Sequence, residues 1–136
     1  MGGFGTDVQK MTADILVADD DEDIRRLVEN KLRAELGREY EIVAEEDGES
    51  AWEYLKENSD DPPELAVLDV MMPNLDGFSV LERMREEEEF DGVQVVILTS
   101  RSREEDVSRA LEAGADDFIA KPFSPKELVG KIRRML

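Results

Sequence analysis

The sequence predicts an α/β domain built on a five-stranded parallel sheet with helices on both faces. Short apolar segments rich in β-branched residues alternate with longer segments in which apolar residues recur every three or four positions. Glycine and proline residues separate the two kinds of segment. Such alternation is typical of parallel sheets, in which a helical crossover joins each strand to the next.

Five segments are predicted to be strands, because each is a short apolar run next to polar or turn-forming residues. They are Ile15–Ala18, residues 41–44, residues 65–68, residues 93–98 and Asp117–Ala120. Five segments with helical spacing follow them in turn. Their apolar stripes are Ile24, Leu27, Val28, Leu32 and Leu36 in the first, Ala51, Trp52 and Leu55 in the second, Phe78, Leu81 and Met84 in the third, Val107, Ala110 and Leu111 in the fourth, and Leu128, Val129, Ile132 and Met135 in the fifth.

Turn and capping residues support these boundaries. Gly37 and Gly114 follow the first and fourth predicted helices, where a residue in the left-handed conformation commonly ends a helix. Ser124 and Pro125 open the fifth helix, as an N-cap and a proline at the first helical position. The sequence therefore predicts where these three helices begin or end.

Length and composition indicate one folded domain. The chain has 136 residues, of which 40% are hydrophobic, and this is enough for an ordinary core. Residues 1–13 are glycine-rich and show no sustained period. We interpret them as an N-terminal extension or expression remnant, and residues 14–136 as the domain.

The chain is strongly acidic, with a formal net charge of −18 from 17 basic and 35 acidic residues. This charge opposes direct contact with nucleic acid, because phosphate groups are repelled at long range. It fits ordinary solubility and equally fits a salt-adapted source, since salt screens self-repulsion. Histidine is absent, which excludes histidine-based acid–base catalysis and a phosphohistidine on this chain.

Nothing in the sequence predicts secretion or membrane insertion. The apolar runs are too short to cross a bilayer, and no basic leader followed by an apolar stretch opens the chain. Cysteine is also absent, so there is no disulfide framework. We therefore expect a cytoplasmic protein with no membrane partner.

Reactive side chains stand at the ends of four predicted strands. Asp19 and Asp20 follow the first strand, Asp69 the third, Thr99 the fourth and Lys121 the fifth. Since the carboxyl ends of parallel strands share one rim, these side chains are expected to meet there. Crowded carboxylates favour a hard cation such as Mg²⁺, and a carboxylate can attack phosphorus to form an acyl phosphate. Each residue alone also fits a structural role, but a charge within a buried run usually has a function or a partner.

Four motifs give the chain a resemblance to a known family. They are ILVADD at residues 15–20, LDVMMPNLDG at residues 68–77, ILTS at residues 97–100 and GADDFIAKPF at residues 114–123. In this order and spacing they resemble the receiver domains of response regulators in two-component signalling, over residues 14–136. The resemblance implies a flavodoxin-like, doubly wound (β/α)5 fold with strand order 2-1-3-4-5.

The resemblance also implies a role for each residue at the rim. Asp69 is the expected phosphoacceptor. Asp19, Asp20 and Asp69, with the backbone carbonyl of Met71, are expected to hold Mg²⁺, and Lys121 is expected to pair with the phosphoryl group. Such a domain is not an enzyme acting on a separate substrate, although it assists its own phosphorylation and dephosphorylation with Mg²⁺.

Two further residues are implied to form a conformational switch. Thr99 is expected to move toward a phosphoryl oxygen, and Phe118 to swing inward behind it. Plain core packing is the competing explanation for Phe118. The Lys121–Pro122 peptide bond is expected to be cis.

The implied partner is a histidine kinase or a phosphotransfer protein, and the signal is expected to reach an attached effector domain or a separate protein. Residues 112–127 resemble receivers that precede winged-helix DNA-binding domains and form homodimers through the fourth helix, fifth strand and fifth helix. Asp116, Asp117, Glu127 and Lys131 fit the charged pairs of such dimers. Val107 departs from the pattern, because a basic partner of Glu127 is expected at that position.

Three alternatives compete with this interpretation. A calcium loop starting at Asp19 would need glycine at its sixth position and glutamate at its twelfth, where the chain has Ile24 and Asn30. A phosphatase similar to the haloacid dehalogenases would need threonine or valine in place of Asp23. These two are rejected. A receiver-like docking module that functions without phosphorylation stays open, although every expected side chain of the site is present.

Overall fold

Strands and α-helices alternate along the chain, as the sequence predicts. The computed structural model describes residues 14–100 and 104–136, so the predicted N-terminal extension, residues 1–13, lies outside the described residues. The strands are β1 (Ile15–Ala18), β2 (Ile42–Glu45), β3 (Leu65–Asp69), β4 (Gln94–Thr99) and β5 (Asp117–Ala120). The helices are α1 (Glu22–Leu36), α2 (Gly48–Glu57), α3 (Gly77–Arg85), α4 (Glu104–Glu112) and α5 (Pro125–Met135). Short 3-10 turns, Gly37–Glu39 and Glu88–Phe90, follow α1 and α3.

These strands form one parallel sheet in the order β2-β1-β3-β4-β5, which confirms the predicted fold and strand order. β1 and β3 are neighbours, with Ile15 opposite Leu65 and Ala18 opposite Leu68. The strand order reverses between these two strands. In sheets of this kind a ligand site lies beyond the carboxyl ends of the strands at such a point.

A hydrophobic layer lies on each face of the sheet. Successive strand residues point to opposite faces, so Ile15 and Leu16 belong to different layers. Helices α1 and α5 cover one face, and α2, α3 and α4 cover the other. Burial on both faces explains why the strands are continuous apolar runs instead of alternating ones. Within the described ranges, no helix combines the length and the apolar character that crossing a membrane requires.

The helix ends agree with the turn and capping residues in the sequence. Gly37 and Gly114 adopt positive φ angles of 78° and 103°, a conformation that glycine tolerates well. The Ser124 hydroxyl accepts a hydrogen bond of 3.0 Å from the N–H group of Glu127 at the start of α5. The side chain of Asp21 accepts two hydrogen bonds from N–H groups in the first turn of α1. Asp21 is therefore the N-cap of α1.

Three strands differ from their predicted bounds by one residue. Residues 41–44, 65–68 and 93–98 are observed as Ile42–Glu45, Leu65–Asp69 and Gln94–Thr99. Backbone hydrogen bonds between neighbouring strands determine these ends. The Glu45 carbonyl accepts a hydrogen bond of 3.2 Å from the N–H group of Asp19, and Asp69 pairs with Leu98. The N–H group of Val93 instead closes the preceding 3-10 turn (3.0 Å). Apolar character alone does not reveal which N–H groups a turn uses.

Candidate functional site

Four of the predicted side chains belong to one rim of the sheet. Asp19 follows β1, Asp69 ends β3, Thr99 ends β4 and Lys121 follows β5. These four strands are consecutive neighbours, so their carboxyl ends lie side by side. The structure therefore brings together residues that are up to 102 positions apart in the chain.

Lys121 joins the two buried carboxylates of the rim. Its Nζ atom donates a hydrogen bond of 2.9 Å to Oδ2 of Asp19 and lies 3.2 Å from Oδ1 of Asp69. The side chains of Lys121, Asp19 and Asp69 are 15%, 0% and 6% exposed. The backbone N–H group of Lys121 donates to the carbonyl of Thr99 at 2.7 Å, which fixes the start of the lysine side chain. Because water is largely excluded, these ionic contacts are stronger than those of surface pairs.

Asp19 is held from three sides. Its Oδ1 atom accepts a hydrogen bond of 2.9 Å from the N–H group of Asp21. Its backbone carbonyl accepts one of 2.8 Å from Nη1 of Arg25, and its own N–H group donates to Glu45. The contact of Arg25 is not predictable from the sequence, because no motif contains this residue and the contact depends on how α1 packs against the rim.

Three carboxylates lie close enough to share one cation. Asp19, Asp20 and Asp69 each offer an oxygen atom, and these atoms all lie within 4.8 Å of one another. Asp20 is exposed and lines a surface pocket together with Met71, the residue whose carbonyl is expected to complete the site. A set of oxygen donors suits a hard ion such as Mg²⁺ better than a transition metal. The residues present therefore fit Mg²⁺.

The electrostatic environment of Asp69 is unusual for a carboxyl group. Burial and the nearby charge of Asp19 raise the pKa of Asp69 from its ordinary value of 3.8 to about 7, although Lys121 acts in the opposite direction. Burial alone would lower the pKa of Lys121, but its hydrogen bond to Asp19 and the charge of Asp69 raise it overall. When both are ionised, the buried carboxylates Asp19 and Asp69 thus carry one more negative charge than Lys121 can neutralise.

The two proposed switch residues lie on β4 and β5. Thr99 is buried, with 4% of its surface exposed. Phe118 is half-buried and packs against the hydrophobic layer under α4, and Nζ of Lys131 lies 5.6 Å from the centre of its ring. The Lys121–Pro122 peptide bond is cis, as expected.

Charged residues on the face formed by α4, β5 and α5 pair within the chain. Nζ of Lys131 lies 3.1 Å from a carboxylate oxygen of Asp117, and Arg85 lies 3.4 Å from one of Asp116. Arg85, whose role was not predicted from the sequence, also donates to three backbone carbonyls, those of Gly114, Phe90 and Val93. Asp116 and Asp117, two of the three acidic residues that could pair across a homodimer, are therefore already engaged inside this one chain.

Comparison with known proteins agrees with this geometry. A family model of the response regulator receiver domain matches residues 15–133. Response regulator GtcR of Aneurinibacillus migulanus is 40% identical over 126 residues, which is 93% of this chain and 48% of that protein. The probable transcriptional regulator ycf27 of Porphyridium aerugineum is 44% identical over 122 residues, 90% of this chain and 47% of that protein. The receiver domain of the Francisella response regulator 1452 superimposes with a TM-score of 0.78, at 30% identity over 91% of this chain and 96% of that one.

The match extends over nearly the whole chain but over only part of the relatives. The chain spans about half the length of the curated relatives it matches. The parallel sheet, its strand order and the acidic rim agree with the family assignment. The chain belongs to the response regulator receiver domains of two-component signal transduction.

Proposed function

We propose that this domain, residues 14–136, accepts a phosphoryl group on Asp69 from a phosphohistidine of a histidine kinase or phosphotransfer protein, and that the modification switches its conformation. The observation that supports this most is the pairing of a buried carboxylate with a buried lysine beside two further carboxylates. Asp69 lies 3.2 Å from Nζ of Lys121 and within reach of Asp19 and Asp20. This arrangement offers a nucleophile, a cation and oxygen ligands for a metal ion at one point.

Phosphoryl transfer requires the protein mainly to position the reacting groups and to stabilise the charge on the phosphoryl oxygens. A carboxylate oxygen of Asp69 forms a bond to phosphorus as the bond from phosphorus to the donor nitrogen breaks, and the donor imidazole leaves. Asp19, Asp20, Asp69 and the carbonyl of Met71 would hold Mg²⁺, which would supply positive charge to offset the phosphoryl oxygens. Lys121 moves its contact from the Asp69 carboxylate to a phosphoryl oxygen. The same groups assist hydrolysis of the acyl phosphate, so the domain promotes both its phosphorylation and its dephosphorylation.

The conformational response is assigned to Thr99 and Phe118. Thr99 ends β4 beside Lys121, so a short shift brings its hydroxyl toward a phosphoryl oxygen. That shift opens space on the neighbouring strand for the half-buried ring of Phe118 to turn inward. One local change of charge then alters the surface formed by α4, β5 and α5.

The proposed output is control of a partner protein or of an attached domain in the cytoplasm. Relatives such as the ycf27 protein are described as probable transcriptional regulators and are about twice as long as this chain. In such a protein a second domain would contact DNA, because the charge of −18 opposes contact by this one. A homodimer through α4, β5 and α5 is the proposed assembly, although Val107 occupies the position of an expected basic residue.

The test is phosphorylation followed by intact mass. Wild type and Asp69→Ala are incubated with acetyl phosphate, with Mg²⁺ or with excess chelator, and Asp91→Ala serves as a control for loss of an exposed aspartate elsewhere. We expect one phosphoryl adduct on wild type and Asp91→Ala when Mg²⁺ is present. We expect none on Asp69→Ala, and none on any protein after chelation.

Each other outcome counts against a defined part of the proposal. An adduct on Asp69→Ala would mean a different acceptor residue. An adduct that survives chelation before the reaction would remove Mg²⁺ from the mechanism. No adduct on folded wild type, at both low and high salt, would favour a docking module that functions without phosphorylation.

A further inference from the structure

The turn between β2 and α2, residues 45–48, contacts two parts of the proposed metal site: Asp19 and the loop that carries Met71. We call it the β2–α2 turn. On one side, the carbonyl of Glu45 accepts the hydrogen bond of 3.2 Å from the N–H group of Asp19. On the other side, the turn contacts the loop from β3 to α3, residues 70–76, which includes Met71. None of its side chains has a part in the proposed chemistry.

The tightest contact of the turn is between Gly48 and the backbone of Leu75. A Cβ atom at position 48 would lie 1.6 Å from the carbonyl oxygen of Leu75 and 2.6 Å from its carbonyl carbon. Both atoms belong to the backbone, so no change of side-chain rotamer can relieve the overlap. The φ angle of Gly48 is not positive, since only Gly37 and Gly114 among the described glycines have positive φ. Glycine is therefore needed at position 48 for close approach, not for backbone conformation.

A hydrogen bond adds to this contact. Asp47 caps α2, and its Oδ1 atom accepts a hydrogen bond of 2.7 Å from the N–H group of Ser50. Its second oxygen, Oδ2, accepts one of 3.2 Å from Nδ2 of Asn74. Asn74 has a φ angle of 71°, a conformation that asparagine tolerates better than most residues. The same cap thus starts α2 and holds the tip of the β3–α3 loop.

Hydrogen bonds inside the loop allow a contact at its tip to affect Met71. The N–H group of Leu75 donates to the carbonyl of Pro73 at 2.8 Å. The N–H group of Gly77, at the start of α3, donates to the carbonyl of Val70 at 3.1 Å. The loop is closed at its base and tightly turned at its tip, so a displaced Leu75 moves the backbone between them.

We propose that the β2–α2 turn is a positioning element for the metal site, and that Gly48 and Asp47 set the distance between the Asp19 carboxylate and the carbonyl of Met71. The inference rests on the proposed function, because it assigns that carbonyl to the metal. Groups that orient the ligands of a metal ion commonly matter nearly as much as the ligands themselves. Neither Gly48 nor Asp47 is expected to touch the metal or the phosphoryl group.

The first test compares two glycine-to-alanine substitutions in the full chain. Gly48→Ala introduces the overlap with Leu75, whereas Gly130→Ala adds a methyl group in α5 where nothing lies within 4 Å of it. Affinity for Mg²⁺ is measured by calorimetry, and the rate of adduct formation from acetyl phosphate is measured across a range of Mg²⁺ concentrations. For Gly48→Ala we expect the dissociation constant for Mg²⁺ to rise at least about tenfold, and the maximal rate to fall by a smaller factor. Gly130→Ala should match wild type in both.

A second variant removes the hydrogen bond without an overlap. Asn74→Gly keeps a residue that accepts positive φ but deletes the amide that reaches Asp47. We expect the dissociation constant for Mg²⁺ to rise about two- to fivefold, as the loss of one exposed hydrogen bond implies. This variant decides the question if Gly48→Ala does not fold.

The outcomes separate this inference from the proposed function. A folded Gly48→Ala protein whose Mg²⁺ affinity lies within twofold of Gly130→Ala overturns the positioning role, as does an unchanged affinity of Asn74→Gly when Gly48→Ala is unfolded. Wild type that binds Mg²⁺ but forms no adduct overturns the proposed function while the affinities still test the turn. Wild type that binds no Mg²⁺ overturns both.

Discussion

Replacing Lys121 with methionine is expected to destabilise the metal-free domain by about 3 kcal/mol at pH 8, the usual cost of leaving a buried charge without its partner. Methionine has a similar length but no charge, so Asp19 and Asp69 would face each other with no cation between them. At pH 5.5 the loss should be smaller, because Asp69 can then take up a proton and relieve the repulsion. Urea unfolding in chelator, followed by the fluorescence of Trp52, measures the difference at both pH values.

Lys131→Met is the matched control for this experiment. Lys131 pairs with Asp117 in a partly exposed contact, with side chains 24% and 35% exposed. Such a pair contributes less than about 1 kcal/mol, so the same substitution there should have a small effect at either pH. If Lys121→Met were no more destabilising than Lys131→Met, the buried pairing of Lys121 with the two carboxylates would be contradicted.

Replacing Asp69 with asparagine is expected to stabilise the metal-free domain by about 2 kcal/mol at pH 8. This figure is smaller than the raised pKa of Asp69 alone implies, because solvent partly screens the carboxylate. The folded-state pKa of Asp69 is raised to about 7, so folding favours its neutral form. The favourable contribution of neutral Asp69 to the free energy of unfolding is fully present below its ordinary pKa, and it is lost as the pH rises through about 7. Asparagine stays neutral at every pH. The gain should therefore be smaller at pH 5 than at pH 8, measured by thermal unfolding in chelator.

Asp47→Asn is a control with the opposite expected sign. It removes the same unit of negative charge, but the hydrogen bonds from Ser50 and Asn74 lower the pKa of Asp47. A lowered pKa means stability that is present above the ordinary pKa and lost as the pH falls, so this variant should be less stable than wild type at pH 8. Stabilisation by both substitutions would indicate a general effect of net charge. An Asp69→Asn protein less stable than wild type at pH 8 would contradict an unfavourable environment for the ionised Asp69 carboxylate.

The parts of the fold that depend on local pattern could be predicted from the sequence. Ile15–Ala18 and Asp117–Ala120 are observed within the predicted bounds, because each is a short apolar run between polar residues. Asp19, Asp69 and Lys121 could be placed at one rim, since the ends of parallel strands meet there whatever the details of packing. The motifs then implied the strand order, and the structure confirms it.

What could not be predicted depends on contacts between elements far apart in the chain. In the sequence, Gly48 looks like an ordinary residue at the start of a helix. The structure shows that an added Cβ atom there would overlap the backbone of Leu75, which is 27 positions away in the chain. Arg25 and Arg85 likewise resemble solvent-exposed helix residues in the sequence. In the structure, both donate hydrogen bonds to backbone carbonyls of other segments. Backbone carbonyls leave no signature in sequence, so the side chains that bind them are found only in the folded structure.

Reductive trapping can show whether Asp69 forms an acyl phosphate. Wild type treated with acetyl phosphate and Mg²⁺ is reduced with borohydride, which converts an aspartyl phosphate to homoserine and leaves free carboxylates and phosphate esters unchanged. Peptide mass spectrometry then identifies the modified position. We expect homoserine at position 69, and only when both the donor and Mg²⁺ are present. Homoserine at any other position, or a phosphoryl group that survives reduction on a hydroxyl side chain such as that of Thr99, would contradict it.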